Sequence, residues 1–376
     1  MTEAGEQSAM PTSETAPSPR RCKARRWLRV VVYVLLFVLV PCELSTRAYF
    51  AIRGQSSFWW PDLQSVFYRE LRQSKVLDAP QSRSDGFFDV LLLGGSVIAP
   101  EFAQIDENLG RRLERDIGRP VKIYNLAQAG HSSRDSLNKY LRLTQKRFDL
   151  VLFYHAINES RMNNSPPDMF RDDYTHASWY ARIAALEKHP EAPAITLPYA
   201  LHFFWIKLGE KTGLTPYLPK HKPPDSWLDY GANIRSERAF RANVSRLIEE
   251  ANKRGDRLAL ITFAIYLPKN YDFDKPHDQQ PEGVNDYVRD RTSLVEMWGR
   301  ARHVVAAVTK HNDALRQLAR SARTSSKVIF VDLDATLPRR GEFFEDITHF
   351  SLAGQQMFVD SVASTIAARI SGSDKD

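Results

Sequence analysis

Cysteine is almost missing from this chain. Only Cys22 and Cys42 occur in 376 residues, so everything beyond residue 42 holds itself together without a disulfide and depends on its core. Several signatures are missing as well. There is no Gly-x-Gly-x-x-Gly, no Gly-Lys-Ser/Thr loop and no His-Glu-x-x-His, which removes the common dinucleotide, phosphate-loop and zinc-protease readings; no cofactor and no metal is expected. A Gly-x-Ser-x-Gly elbow is absent too, because Ile98 stands where its last glycine would fall. No internal repeat is evident. Nor is the charge strongly one-sided: of the net +7, residues 1–53 carry 8 basic and 4 acidic residues, and the remainder carries 44 and 41. A mixed-charge surface of that kind argues against nucleic acid as a partner.

What is present begins at the amino end. Residues 1–26 open with Ser, Thr, Glu and Pro and close on a basic cluster, and read as a disordered cytoplasmic tail. An uncharged run of Val, Leu and Phe follows from Val30 to Cys42. It is short for a membrane span, which needs about 20 residues. Flanking residues extend it, with Arg29 and Arg47 reaching for the interface, so that 27–52 reads as a transmembrane or signal-anchor segment. A cleaved signal peptide is the rival reading, although Pro41, Cys42 and Glu43 occupy the place of a small-residue cleavage site. Arg20, Arg21, Lys23, Arg25, Arg26 and Arg29 precede the run and only Arg47 and Arg53 closely follow it. That asymmetry predicts a cytoplasmic amino terminus, with residues 55–376 extracytoplasmic.

Four separated stretches read together as one site: Leu91-Leu92-Leu93-Gly94-Gly95-Ser96, Asn125-Leu126-Ala127-Gln128-Ala129-Gly130, Ala156-Ile157-Asn158-Glu159, and Asp346-Ile347-Thr348-His349. The first puts a serine just past a strand-like run, at the carboxyl edge of a parallel sheet. A serine hydroxyl needs a base to take its proton, and an imidazole base needs a third group to fix its tautomer. Ser96, His349 and Asp346 fit those roles. The Ser96 and Gly130 amides and the Asn158 side chain are candidate oxyanion donors. Alone, each stretch has a plainer reading: a strand-to-helix turn at Gly94-Gly95, a loop glycine at Gly130, a cap at Asn158, a turn before a helix capped by Ser351. His131 and His155 lie beside the oxyanion candidates, where a metal site or second base is conceivable and pocket histidines are the plainer reading. Asp332 and Asp334 read as loop carboxylates or a cation site.

In order and wording the four stretches resemble the signature blocks of the SGNH (GDSL-type) hydrolases. The resemblance covers about 88–160 and 326–370 and implies Ser96 as nucleophile and first oxyanion donor. It further implies Gly130 and Asn158 as the other donors, His349 as base and Asp346 as its orienter. Two departures stand out: Gly95 replaces the aspartate of the first block, and Ala156 with Glu159 replaces the glycine and aspartate of the third.

Between the motifs, near-continuous apolar runs predict strands at Phe88–Leu93, Val121–Leu126, Leu150–Tyr154, Leu258–Ala264 and Lys327–Val331. Helices are predicted over Leu109–Ile117, Ser133–Arg147, Glu237–Lys253, Val295–Ala322 and Leu352–Ile370. Strands of that kind are buried on both faces, so the fold class is a three-layer α/β/α with a parallel five-stranded sheet, and the resemblance implies flavodoxin-like order. Two insertions interrupt the alternation. About 160–235 is proline-rich and aromatic, a folded segment without long helices through much of its length, serving as lid, substrate wall or edge cover. Within it, Phe203-Phe204-Trp205-Ile206 and Leu208 either touch the bilayer or, as the favoured reading, bury against the main domain. About 267–294 is polar and rich in Asp.

These features favour a membrane-anchored serine esterase acting on an extracytoplasmic acylated carbohydrate or lipid. An O-acyltransferase using the same acyl-serine is the second reading and a non-catalytic binding protein the third.

Overall fold

Each strand of this chain alternates its apolar side chains between two cores. In the computed structural model, which describes residues 19–78, 85–219, 223–275, 279, 298–322 and 327–373, five parallel strands form one sheet. They are β1 (Phe88–Gly94), β2 (Val121–Asn125), β3 (Leu150–Tyr154), β4 (Arg257–Ile261) and β5 (Val328–Val331), in the order β2-β1-β3-β4-β5. Val90, Leu92, Leu152 and Ile261 face one core, and Leu91, Leu93, Val151, Phe153 and Leu260 the other. Both faces are dry, which explains why the strands read as continuous apolar runs. The expected three-layer α/β/α class and strand number hold.

The longer helices are α1 (Pro19–Val34), α2 (Val40–Gly54), α3 (Ile105–Ile117), α4 (Ser133–Arg142), α5 (Ser178–Glu187), α6 (Leu197–Thr212), α7 (Ser236–Arg254), α8 (Ala301–Ser321) and α9 (Leu352–Ser373). Helices α3 and α9 cover one face of the sheet, while α4 and α7 cover the other. The chain leaves β1 toward β2 on one side and returns through β3 on the other. Loops at the carboxyl ends of β1 and β3 therefore diverge, and such a switch point leaves a crevice where ligands bind in open parallel sheets.

Some boundaries differ from the expected ones. Strand β4 stops at Ile261; Thr262 N still donates to Val331 O at 3.1 Å, but past it Phe263 N donates to Asn312 Oδ1 at 2.7 Å and Ala264 N to Tyr154 Oη at 3.2 Å. Helix α4 ends at Arg142, while α3 starts at Ile105 and contains Leu109–Ile117, expected as part of a helix. Residues 19–26, expected in the disordered tail, belong to α1; arginine and lysine are good helix formers and Pro19 suits a first turn. The remainder of that tail, 1–18, and most of the 267–294 excursion lie outside the described residues.

One π-helical turn, Leu35–Leu39, joins α1 to α2. Val40 N donates to Leu35 O, five residues back, next to Pro41, whose ring would crowd an ordinary turn and which has no N–H to give. From Arg26 to Gly54 this is a helix long and apolar enough to cross a membrane, a test that a signal sequence also passes. Its last turns dock on the domain, burying Phe50, Ala51 and Gly54.

The 160–235 segment corrects the expectation drawn from its prolines. Helix α6 is 16 residues long because Pro198 sits in its first turn, where the missing N–H was unpaired anyway. Glu43 of α2 supplies the cap across space, accepting from Thr196 N at 2.9 Å and Leu197 N at 2.8 Å. The aromatic cluster is also only half buried. Phe203 and Ile206 face the core, whereas Leu201, Phe204, Trp205 and Leu208 are exposed, because α6 packs on α2 by one face only.

Candidate active site

Strand β1 ends at Gly94, Gly95 runs extended, and Ser96 opens a short 3-10 turn, Ser96–Ile98. Far along the chain, Ser351 caps α9, its Oγ accepting from Gly354 N at 3.2 Å, and the loop before the cap carries Asp346 and His349. Folding closes a gap of 253 residues. His349 Nε2 lies 2.9 Å from Ser96 Oγ, and His349 Nδ1 lies 2.6 Å from Asp346 Oδ2. An ionised carboxylate only accepts, so the Nδ1 position carries the hydrogen and Nε2 is left to accept from the serine hydroxyl. Asp346 is held in turn, its Oδ1 accepting from the Thr348 and His349 amides at 2.8 Å each. Burial raises the pKa of Asp346, but the His349 ring and these amide donors outweigh it, and the carboxyl ends below its ordinary value. The Phe102 ring stacks on the imidazole with centroids 5.2 Å apart.

The proposed donors gather on the neighbouring strand ends. Asn158 follows β3; its Nδ2 donates to His131 O at 2.7 Å, and Trp298 Nε1 donates to its Oδ1 at 2.8 Å. An indole N–H only donates, so Trp298 fixes which end of the amide is oxygen and turns Nδ2 toward the β1 edge. A methyl on Gly95 would lie 2.9 Å from that Nδ2. Glycine at this position leaves room for the amide. Gly130 has φ +75°, a left-handed backbone that side chains resist, and Arg161 Nη2 donates to its carbonyl at 2.6 Å. Among the described residues, neither the Ser96 nor the Gly130 amide donates to a protein acceptor. The structure thus joins Ser96, His349 and Asp346 by direct hydrogen bonds. Asn158 lies against Gly95, and Gly130 is linked to it through the adjoining His131 carbonyl.

The other candidates have structural partners. Burial pushes His155 down to about 3, so it stays neutral, and its Nε2 lies 2.7 Å from Ser136 Oγ. His131 Nδ1 is 3.0 Å from the buried ammonium of Lys139, which also pairs with Glu70 at 2.8 Å. Asp332 and Asp334 both bind Arg316, at 2.8 and 2.9 Å. Among the described residues no group of three or more His, Cys, Asp or Glu is disposed to hold a metal. Glu159, next to Asn158, points away to Tyr174 Oη at 2.8 Å and the Ser133 amide, and burial raises it to about 7. Sequence reading missed Trp298 and Phe102, which carry no motif.

Next to this site lies a cleft of about 640 Å³. Gln128, Ala129 and His131 line it, together with Tyr49 and Arg53 of α2. Trp179 and Arg182 of α5 and Phe203 and Lys207 of α6 contribute a wall, so the 160–235 segment does line a cavity beside the sheet edge.

No family model matches the chain, and no curated protein matches its sequence. The structure is similar to a lipase/acylhydrolase from Enterococcus faecalis at 12% identity, covering 75% of this chain and 96% of that one, with a TM-score of 0.40. It is similar to an acetyl xylan esterase from Geobacillus stearothermophilus (11% identity, 74% and 94% covered, TM-score 0.39). A GDSL-like lipase from Bacteroides thetaiotaomicron gives 11% identity, 80% and 98% covered, and TM-score 0.40. At such identities and TM-scores these likenesses carry no activity or substrate across to this chain.

Proposed function

We propose that this chain is a membrane-anchored serine esterase of SGNH type, acting on an acylated carbohydrate or lipid outside the cytoplasm. The observation that carries the reading is the unbroken chain Ser96 Oγ, His349 Nε2, His349 Nδ1, Asp346 Oδ2, at 2.9 and 2.6 Å. Ser96 Oγ attacks the ester carbonyl as His349 Nε2 takes its proton, and Asp346 stabilises the imidazolium without accepting the proton itself. The oxyanion draws on the unpaired Ser96 and Gly130 amides and on the second N–H of Asn158 Nδ2. His349 then gives its proton to the departing alcohol. Water, activated by the same imidazole, releases the acid from Ser96.

A fluorophosphonate probe tests the nucleophile. It should label the folded wild type and fail on Ser96→Ala; equal labelling of both would reject Ser96. For the topology, the basic residues before Val30 favour a cytoplasmic amino terminus. Protease reaching only the outer face should digest the domain and spare a tag at Met1, and the reverse pattern would overturn the orientation.

Acyl transfer to a sugar hydroxyl is the second reading. Transfer requires the acyl-serine to meet a bound acceptor before water, and the aromatic wall of the cleft supports one. Shortening the 160–235 segment should then impair natural-substrate turnover far more than hydrolysis of a small aryl acetate. Equal effects on both would favour simple hydrolysis.

A further inference from the structure

Four cations line the cleft: Arg53, Arg69, Arg182 and Lys207. Among the described residues none of them has an acidic partner within salt-bridge distance. The carboxylate on the floor, Glu70, is already matched by Lys139 at 2.8 Å, which leaves Glu101 as the one other acid among the lining residues. Arg182 is the most informative. It is 8% exposed, its Nε donates to Ser178 O at 3.1 Å, and its guanidinium lies 5.2 Å from the Phe203 ring centroid. Its two terminal nitrogens donate to no protein acceptor among the described residues, and the charge that offsets its burial is Glu210 of α6, which lies outside the cleft lining and beyond salt-bridge distance. A surplus of unpaired, partly buried positive charge in a concave site is what an anionic ligand would complete.

Position narrows the source of that anion. Glu43 caps α6, so the hydrocarbon must end before it, and Trp27–Cys42 rises only about 24 Å at 1.5 Å per residue. That falls short of a typical core of about 30 Å. The headgroup layer is therefore drawn down onto the domain. There it meets the exposed face of α6 (Leu201, Phe204, Trp205, Leu208) and the exposed Trp59 and Trp60, the side chains that settle at a bilayer interface. Arg53 and Lys207, on the two helices α2 and α6 that meet this surface, line the cleft. The same lining includes Glu101, next in sequence to the Phe102 whose ring stacks on His349, and His131, whose carbonyl holds Asn158.

We infer that the cleft binds the net-anionic phosphate headgroup of a membrane amphiphile, with Arg182 and Lys207 on the phosphate, and that it brings this substrate from the bilayer surface to Ser96. The inference rests on the esterase or acyltransferase reading only for its last step; the binding itself does not need catalysis.

The test is calorimetric titration of the full chain in a neutral detergent with dihexanoyl phosphatidic acid, dihexanoyl phosphatidylcholine and inorganic phosphate. Phosphatidic acid should bind at least about tenfold more tightly than either of the others, as a charge-assisted contact plus buried chains requires. Arg182→Gln and Lys207→Gln should each weaken it about tenfold; Lys207, half-buried, with its Nζ 5.6 Å from the Phe203 ring centroid and no acidic partner among the described residues, serves if Arg182→Gln fails to fold. Ser96→Ala should bind like the wild type. Equal affinity for phosphatidylcholine would overturn the anionic assignment, and equal affinity for inorganic phosphate would overturn the membrane source. Undiminished binding by folded Lys207→Gln and Arg182→Gln would overturn the cleft. Tight binding with no esterase or transferase activity in the wild type would instead reject the catalytic reading and leave the cleft standing.

Discussion

Replacing Trp298 with phenylalanine should slow the enzyme without weakening substrate binding. Trp298 does not reach Ser96; it donates to Asn158 Oδ1 at 2.8 Å and thereby aims Nδ2 at the edge where the oxyanion would form. Removing the indole N–H leaves a buried amide oxygen unpaired, at a cost of about 1–3 kcal/mol of stability. It also frees the amide to turn about χ2, which its remaining bond to His131 O at 2.7 Å only partly resists. Loss of a whole oxyanion donor typically costs about 10²–10³ in kcat, so Asn158→Ala sets the upper bound. Trp298→Phe should fall short of it, at about a tenfold loss in kcat with KM nearly unchanged. Steady-state kinetics on a small aryl ester, with thermal unfolding as a check on folding, gives both numbers. The double variant is decisive. If Trp298 acts through Asn158, Trp298→Phe should add almost nothing to Asn158→Ala. A further tenfold loss in the double variant, or no loss in the single one, would refute the reasoning.

Gly95→Ala should cost about tenfold in kcat, because its methyl would stand 2.9 Å from an Asn158 Nδ2 already pinned at both ends; unchanged kinetics would show that the amide moves freely. Ser96→Ala and His349→Ala should each lower turnover by about 10³ or more, and the double variant should lose little beyond either; multiplying losses would mean that the two do not act as a unit. Stability should fall as pH drops below about 6.5. His155 and His311, buried to about 3, and His176, to about 4, stay neutral in the fold, while the unfolded chain takes up their protons from 6.5 downward. Glu159, raised by burial to about 7, and Asp89, raised to about 6, act in the opposite sense and offset two of those three protons. The net slope near pH 5 is then one proton, ~1.4 kcal/mol per pH unit, and Glu159→Gln, which removes one opposing proton, should steepen it to ~2.7. A profile in that variant as shallow as the wild type's would contradict the burial argument for Glu159.

The sheet was legible in the sequence because its strands are dry on both faces, and five apolar runs with helical intervals admit few alternatives to a parallel α/β stack. The candidate site's residues were legible for a related reason. Ser96, Gly130 and Asn158 each lie in the loop that follows a strand end, so locating the strands narrows the search to those loops, and Asp346 with His349 sits in the turn before the last helix. What the sequence concealed are groups brought in from places without periodicity. Trp298 borders a polar excursion, Phe102 lies in a loop, and Glu43 caps a helix 153 residues away. The prolines misled because their position counts more than their number: Pro198 begins α6, where a proline inside it would have broken the helix. The apolar cluster on α6 misled by its evenness. With Phe203 and Ile206 turned inward and Phe204, Trp205 and Leu208 outward, it is apolar on both faces because it borders two apolar media. One is the protein core, and on the reading proposed above the other is the lipid surface. Sequence admits contact with the bilayer for this cluster without deciding it, and the cleft that opens beside it, lined by Arg53, Arg69, Arg182 and Lys207, becomes visible only once α2 and α6 are docked together.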